Sequence, residues 1–173
     1  LIILSPTNAT EASAIISQRL IPTIGNMELA RAVNGASGAA GTVTPVHVEV
    51  DTGMGRSGVA PGEAVGFCRV LAALPHLELA GFYTHFPRAD VPEGRAMVER
   101  QLEDFLQLAD AVRDAGVAPG LLHAANSAAI VNHGASHFDM VRRSEEHTSE
   151  LQSLTNLVCP LLSEKQWGGG GGG

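Results

Sequence analysis

Residues 46–51 and the loop after them combine residue types that could bind an anionic ligand. Valines alternate there with polar residues, so a strand in this position would place His47, Glu49 and Asp51 on one face. Arg56 follows after a loop that contains two glycines. This arginine could bind an anion while Glu49 or Asp51 pairs with its guanidinium. It could equally form a structural salt bridge that closes the loop.

Three further positions with chemical potential also follow apolar runs. His85 stands directly after one of them, where a histidine can act in catalysis or simply be a loop residue. Asn126 and Ser127 precede a short helical segment. The free N–H groups at the start of a helix can bind phosphate, although both residue types are also common helix caps. Arg142 ends the last apolar run and adds a cation.

Short apolar runs alternate with amphipathic segments throughout residues 1–142. Six strands are predicted, over residues 1–4, 20–24, 45–50, 77–83, 121–124 and 138–141. Helices are predicted between them, over residues 12–18, from a cap at Asn26, over 64–74 after Pro61, over 92–115 and over 127–131.

This alternation indicates right-handed βαβ units and a parallel sheet. No glycine-rich dinucleotide fingerprint follows the first strand. The candidate residues instead follow the ends of different strands, as active-site residues do in (β/α)8 barrels. The predicted fold is therefore α/β, an incomplete (β/α)8 TIM-type barrel with about six of eight βα units.

Composition limits the classes of partner. The 173 residues include 11 basic and 18 acidic side chains, a formal charge of −7, which argues against nucleic-acid binding. No apolar run is long enough to span a bilayer, and no secretory signal is recognisable, so we predict a cytoplasmic protein without membrane contact. Two cysteines among 173 residues do not suggest a disulfide framework or a zinc site.

Four segments together resemble the N-terminal barrel domain of alanine racemase, a pyridoxal-phosphate enzyme. They keep the order and approximate spacing of that family over roughly residues 1–142. The segments are Val50-Asp51-Thr52-Gly53-Met54-Gly55-Arg56-Ser57-Gly58, Tyr83-Thr84-His85-Phe86 with Ala89-Asp90, His123-Ala124-Ala125-Asn126-Ser127-Ala128-Ala129 and Phe138-Asp139-Met140-Val141-Arg142.

The resemblance implies pyridoxal 5'-phosphate as cofactor and a cofactor-binding set of four residues. The Arg142 position hydrogen-bonds the pyridine nitrogen, and because arginine keeps its proton the ring is a weaker electron sink. Ser127 holds the phosphate, with Asn126 adjacent. His85 packs near the ring and supports the arginine.

The resemblance further implies that Arg56 reaches the phenolic oxygen of the cofactor and orients the substrate, so Arg56 and His85 are the expected catalytic residues. Glu49 departs from the family, in which many members carry a carbamylated lysine at this position. We predict that Glu49 replaces that group by pairing directly with Arg56, and that Asp51 is a second supporting acid.

The implied reaction interconverts L- and D-alanine and thereby supplies D-alanine for the cell wall. It requires proton acceptors on both sides of Cα. The family uses a Schiff-base lysine after the first barrel strand and a tyrosine from the C-terminal domain of the dimer partner. Residues 1–142 contain no lysine, and residues 1–4 correspond to about the third strand. We therefore predict an inactive fragment of a homodimeric enzyme.

Residues 143–173 differ from the rest of the chain. They resemble the conceptual translation of a sequencing adapter and end in six glycines, so we predict a non-native, disordered tail after a domain spanning residues 1–142. Other functions remain open for that domain. One is a metal-dependent hydrolase barrel with ligands among His47, Glu49, Asp51, His85 and His123. Others are a non-catalytic pyridoxal-phosphate-binding protein and a racemase for another amino acid.

Overall fold

Five parallel strands form one sheet whose spatial order follows the chain order. The computed structural model describes residues 1–143, so the predicted disordered tail lies outside the described residues except for Arg143. The strands are β1 (Ile2–Ile3), β2 (Ile21–Ile24), β3 (Thr44–Glu49), β4 (Leu77–Tyr83) and β5 (Leu121–His123). An order without reversal is that of a barrel and differs from the doubly wound sheet, so the predicted incomplete barrel is confirmed.

Five α-helices accompany the sheet: α1 (Ala12–Ser17), α2 (Met27–Ala39), α3 (Ala64–Ala72), α4 (Arg95–Asp114) and α5 (Ser127–Asn132). The sequence signals for the starts of three of these helices are confirmed. The Asn26 side chain accepts a hydrogen bond from the Leu29 N–H at 2.9 Å and caps α2, while Pro61 and Pro92 each begin a single 3₁₀ turn that leads into α3 and α4. None of the helices in residues 1–143 combines the length and apolar composition needed to cross a membrane.

The prediction of a sixth strand over residues 138–141 is wrong. Only an isolated parallel bridge joins Met140 to His123. Two local features prevent a longer ladder. Phe138 has a φ of 40°, outside the extended region, and the Asp139 carboxylate accepts the Leu122 N–H at 2.9 Å. A side chain thus occupies the donor that a sixth strand would have used.

The two faces of the sheet differ in chemistry. Val46, Val48 and Val50 are fully buried in the core that the sheet forms with the helices, and each contributes about 1.5–3 kcal/mol by burial. The alternate residues His47 and Glu49 lie on the opposite face, which we call the inner face. The apolar face anchors the strands, and the inner face carries the polar groups.

A bulge in β4 preserves this division. The register runs from Val46 opposite Leu79 to His47 opposite Gly81, so Ala80 is an extra residue that shifts the alternation by one. Gly81 then lies beside the His47 ring, so close that a Cβ there would overlap the imidazole. The bulge and the glycine together make room for His47 on the inner face.

Candidate active site

The inner face carries a row of polar side chains at the carboxyl ends of three strands. Glu49 is in register with Tyr83, and Tyr83 with His123. The Tyr83 ring stacks on the His123 ring with a centroid separation of 4.5 Å and an interplanar angle of 14°. The Arg142 guanidinium carbon lies 4.8 Å from the Tyr83 ring centroid, within cation–π range. Arg142 and Glu49 therefore approach the same edge of the sheet.

Backbone carbonyl groups fix the Arg142 side chain. Nη2 donates to the Thr84 oxygen at 2.8 Å and to the Ala124 oxygen at 3.1 Å, and the Arg142 backbone N–H donates to Ala125 at 2.8 Å. Both hydrogens of Nη2 are used, which leaves Nη1 and Nε for other partners. Nε is buried and has no partner among the described residues. Burial lowers the pKa of Arg142, but an arginine stays protonated.

His85 directly follows the strand end to which Arg142 binds, and it is half-buried. Burial of the ring lowers its pKa to about 4, and the positive charges of Arg142 and Arg56 add to this effect. His85 is therefore neutral at pH 7, able to accept a hydrogen bond on one nitrogen and to donate one from the other.

Glu49 does not form the predicted ion pair with Arg56. Its Oε2 accepts a hydrogen bond from Ser57 Oγ at 3.0 Å, and Arg56 is exposed. The only side-chain ion pairs within residues 1–143 are Arg95–Glu99 and Arg113–Asp110. Burial raises the pKa of Glu49, while the Ser57 hydrogen bond and the charges of both nearby arginines oppose the rise.

Asp51 shapes the loop that carries Arg56. Its Oδ1 accepts the backbone N–H groups of Gly53, Met54 and Gly55 at 3.0, 2.7 and 3.0 Å, and Oδ2 accepts Gly55 at 2.9 Å. Gly53 and Gly55 have φ values of 137° and 70°, a region that favours glycine. Partial desolvation would raise the pKa of Asp51, but these backbone donors outweigh it and lower the pKa.

Asn126 caps α5 and joins it to the loop after β4. Its Oδ1 accepts the Ala129 N–H at 3.0 Å, and its Nδ2 donates to the Phe86 oxygen at 3.0 Å. Ser127 is the first residue of the helix. The amide of Asn126 is thus occupied by the fold itself, and Ser127 is held at the helix start near the segment that carries His85.

Sequence reasoning missed a buried network on the inner face. His47 Nδ1 lies 2.8 Å from His123 Nε2, and burial lowers the pKa of His123 to about 2. Tyr83 Oη lies 3.0 Å from Thr23 Oγ1, whose own hydrogen goes to the Ile3 oxygen at 2.8 Å, so Tyr83 is the donor. The register of His47 with Gly81 is the signal behind this network, and it is visible only once the strands are paired.

A second missed group lies at the base of the Arg56 loop. Thr52 Oγ1 is 2.7 Å from Thr84 Oγ1 and accepts a hydrogen bond from Gln101 Nε2 at 3.3 Å. The two hydroxyl groups connect the loop after β3 to the end of β4.

Several of the donor atoms proposed for a metal site have other partners. His47 and His123 bind each other, Glu49 binds Ser57, and Asp51 binds backbone amides. Within residues 1–143, no group of three or more histidine, cysteine, aspartate or glutamate residues could hold a metal ion. The structure therefore does not favour the hydrolase alternative.

Residues 1–143 match the family model described as alanine racemase, N-terminal domain. Among curated proteins, the alanine racemase of Desulfovibrio desulfuricans is 39% identical over 142 residues, which are 82% of this chain and 38% of that protein. The alanine racemase of Chlorobaculum tepidum is 43% identical over 120 residues, 69% of this chain and 31% of that protein. The chain thus spans less than two fifths of the length of these relatives.

Solved structures agree with the sequence comparisons. An alanine racemase of Clostridium difficile superposes with a TM-score of 0.79 at 29% identity, over 83% of this chain and 40% of that one. A histidine racemase of Leuconostoc mesenteroides has the same fold, with a TM-score of 0.73 at 23% identity over 83% of this chain and 38% of that one.

Proposed function

Because this chain belongs to the family of alanine racemase N-terminal domains, we propose that residues 1–142 are the cofactor-binding part of a pyridoxal-phosphate-dependent racemase. Its substrates are L- and D-alanine, which the relatives' names indicate. The homodimeric state and the cytoplasmic location of the intact enzyme stay predictions.

The fixed guanidinium of Arg142 is the observation that carries this proposal. Two backbone carbonyls hold Nη2, and the buried Nε has no partner among the described residues. The pyridine nitrogen of the cofactor is a hydrogen-bond acceptor. A guanidinium group would donate a hydrogen bond to it and would keep its own proton. The residues present therefore fit pyridoxal phosphate, which supplies an electron-withdrawing ring that acidifies the Cα–H of a bound amino acid.

Other residues of the same edge would complete the cofactor site. Ser127, at the start of α5, would bind the phosphate group, because a helix start offers hydroxyl and N–H donors to an anion. Asn126 would hold Ser127 in place through its cap and its bond to Phe86. His85 would pack near the ring as a neutral imidazole, since burial and two arginines lower its pKa to about 4.

Arg56 would orient the substrate carboxylate. It is exposed, and no carboxylate of the described residues lies within ion-pair distance of it, so its donors can bind an anion from solution. Asp51 would contribute by holding the loop in shape. Glu49 would add buried negative charge near both arginines, because it interacts electrostatically with each of them.

Proton transfer would depend on residues beyond this segment. Racemization requires proton acceptors on opposite sides of Cα, and residues 1–142 contain no lysine. We propose that a lysine and a tyrosine in other parts of the intact enzyme perform these transfers. The 173-residue chain alone, incubated with pyridoxal phosphate and L-alanine, should therefore form no D-alanine.

The test uses a full-length enzyme that contains residues 1–142. Chiral chromatography should show conversion of L-alanine to D-alanine, and Arg142→Ala should abolish most of it and weaken cofactor retention, seen in the cofactor's absorbance after gel filtration. Arg100→Ala is the matched control, because Arg100 is an exposed arginine within the same domain. A full-length enzyme that leaves alanine unchanged, or that racemizes another amino acid faster, would contradict the proposal.

A further inference from the structure

Gln101 is a buried polar residue on an otherwise apolar side of α4. Only 2% of it is exposed, and it lies in one helical stripe with Val98, Phe105 and Val112, which are also buried. A buried amide is unfavourable unless its groups are hydrogen-bonded, yet Gln101 Oε1 has no partner among the described residues. An apolar side chain of similar size would fill this place without that loss.

The other half of the amide contacts the loop that carries Arg56. Gln101 Nε2 donates to Thr52 Oγ1 at 3.3 Å. At the next residue, Gly53, an added Cβ would lie 3.4 Å from the same nitrogen. Helix α4 therefore contacts the loop at Thr52 and lies close to Gly53.

Thr52 in turn contacts Thr84, at the end of β4, where the other functional groups lie. Its Oγ1 lies 2.7 Å from Thr84 Oγ1, and Thr84 is fully buried. The Thr84 carbonyl accepts Arg142 Nη2 at 2.8 Å, and His85 is the next residue. Gln101 Nε2 is the donor in the first hydrogen bond and either hydroxyl can be the donor in the second, so a continuous chain of hydrogen bonds joins Gln101 through Thr52 to Thr84.

We propose that Gln101 is a positioning residue that sets where Arg56 lies relative to Arg142 and His85. It acts through Thr52 and Thr84 and touches neither substrate nor cofactor. Asp51 fixes the internal shape of the loop by accepting three backbone N–H groups. The Gln101–Thr52–Thr84 chain fixes where that preformed loop sits against the sheet. The functional consequence rests on the proposed racemase function.

The test compares variants of a full-length enzyme that contains residues 1–142. Gln101→Met removes the amide at similar volume, and Gln107→Met is the control, because Gln107 is exposed on the same helix. Thr52→Val removes the hydroxyl at similar shape, and Thr52→Ser keeps it. These last two variants leave the buried face of α4 unchanged, so they test the chain even if Gln101→Met fails to fold.

Hydrogen–deuterium exchange without substrate measures how often the loop opens, which should increase when its contact with α4 is lost. In Gln101→Met and Thr52→Val, the amides of residues 53–55 should exchange about fivefold faster, the effect of one lost hydrogen bond, while the amides of β3 and β4 keep their protection. Gln107→Met and Thr52→Ser should match the unaltered enzyme. Unchanged exchange in Gln101→Met and Thr52→Val, or a uniform increase across the sheet, would overturn the proposal.

Kinetics separate this inference from the proposed function. If Arg56 orients the substrate, the KM for alanine should rise by a similar factor in Gln101→Met and Thr52→Val with kcat nearly unchanged, because a smaller fraction of the enzyme has the loop in place. Faster exchange at residues 53–55 in an enzyme that does not act on alanine would support the positioning role and refute the racemase. Normal racemization with unchanged exchange and an unchanged KM would support the racemase and refute the positioning role of Gln101.

Discussion

Arg142 and Arg56 bring positive charge to the same region, but the chain holds them in different ways. Arg142 is bound by the carbonyl groups of Thr84 and Ala124, which follow β4 and β5 directly. Arg56 is exposed on a loop, and its position depends on the Asp51 carboxylate and on Thr52. The ends of two strands thus fix Arg142 before any ligand binds, whereas Arg56 is carried by a loop.

The difference matches the roles proposed for the two residues. A cofactor that stays bound through many turnovers is best held by a rigid site, since preorganised groups lose little freedom on binding. A substrate must enter and leave, and loops supply the exposed groups for that purpose. Both arginines still act on shared neighbours, because both lower the pKa of His85 and stabilise the charged form of Glu49.

The largest effect on stability is expected for Arg142→Ala. Removing the guanidinium leaves the Thr84 and Ala124 carbonyls without their donor, which should lower the free energy of unfolding by about 1–3 kcal/mol. Urea unfolding of a full-length enzyme that contains residues 1–142 measures it, with the exposed Arg100→Ala as control. Equal losses in the two variants would show that the carbonyl contacts do not hold Arg142.

The second largest effect on stability is expected from acid, because neutral imidazoles are buried at the candidate site. The pKa of His123 is about 2 and that of His85 about 4, both below the ordinary value of 6.5. Between pH 6.5 and these values the unfolded chain binds protons that the folded chain does not, so stability falls with falling pH. We expect the thermal midpoint to drop from pH 7 to pH 5, and His85→Asn to reduce the slope. An equal slope in His85→Asn would contradict this assignment.

The strands and helices of residues 1–143 were largely predictable because the sequence patterns that specify them are local. The alternation in residues 46–50 predicted both the strand and its two faces, and Asn26 and Pro61 predicted helix starts. The sixth strand failed because competition by a single side chain decided it, when Asp139 took the Leu122 N–H. An apolar run does not reveal such a competitor.

The sequence predicted which types of residue form the candidate site but did not predict their hydrogen-bond partners. Glu49 and Arg56 are close in sequence and opposite in charge, which suggested an ion pair, but Ser57 binds Glu49 instead. The contacts of His47 with His123 and of Thr52 with Gln101 span 76 and 49 residues. Such contacts depend on strand register and helix placement, and no local pattern specifies them.

A smaller effect is expected for Asp51→Asn, which affects only the loop side of the comparison. The amide keeps one acceptor oxygen but loses the charge that strengthens four hydrogen bonds. Exchange of the amides of residues 53–55 should increase several-fold with little change in the thermal midpoint, while Asp104→Asn, an exposed change on α4, should have no effect on the loop. The pKa of Asp51 is lowered, so the loop in the unaltered enzyme should loosen only as acid protonates this carboxylate, below its ordinary titration range. Loosening already at higher pH would speak against this role of Asp51.

Arg56→Ala should have the smallest effect on folding and thereby test the comparison most directly. Arg56 is exposed and forms no ion pair with the described residues, so the free energy of unfolding should change by less than about 0.5 kcal/mol. The same variant should raise the KM for alanine strongly in a full-length enzyme, because the substrate carboxylate loses its cationic partner. Urea unfolding and alanine kinetics on one preparation measure both quantities. A loss of stability as large as that of Arg142→Ala would mean that Arg56, too, is part of the rigid framework, and the distinction between a fixed cofactor arginine and a delivered substrate arginine would fail.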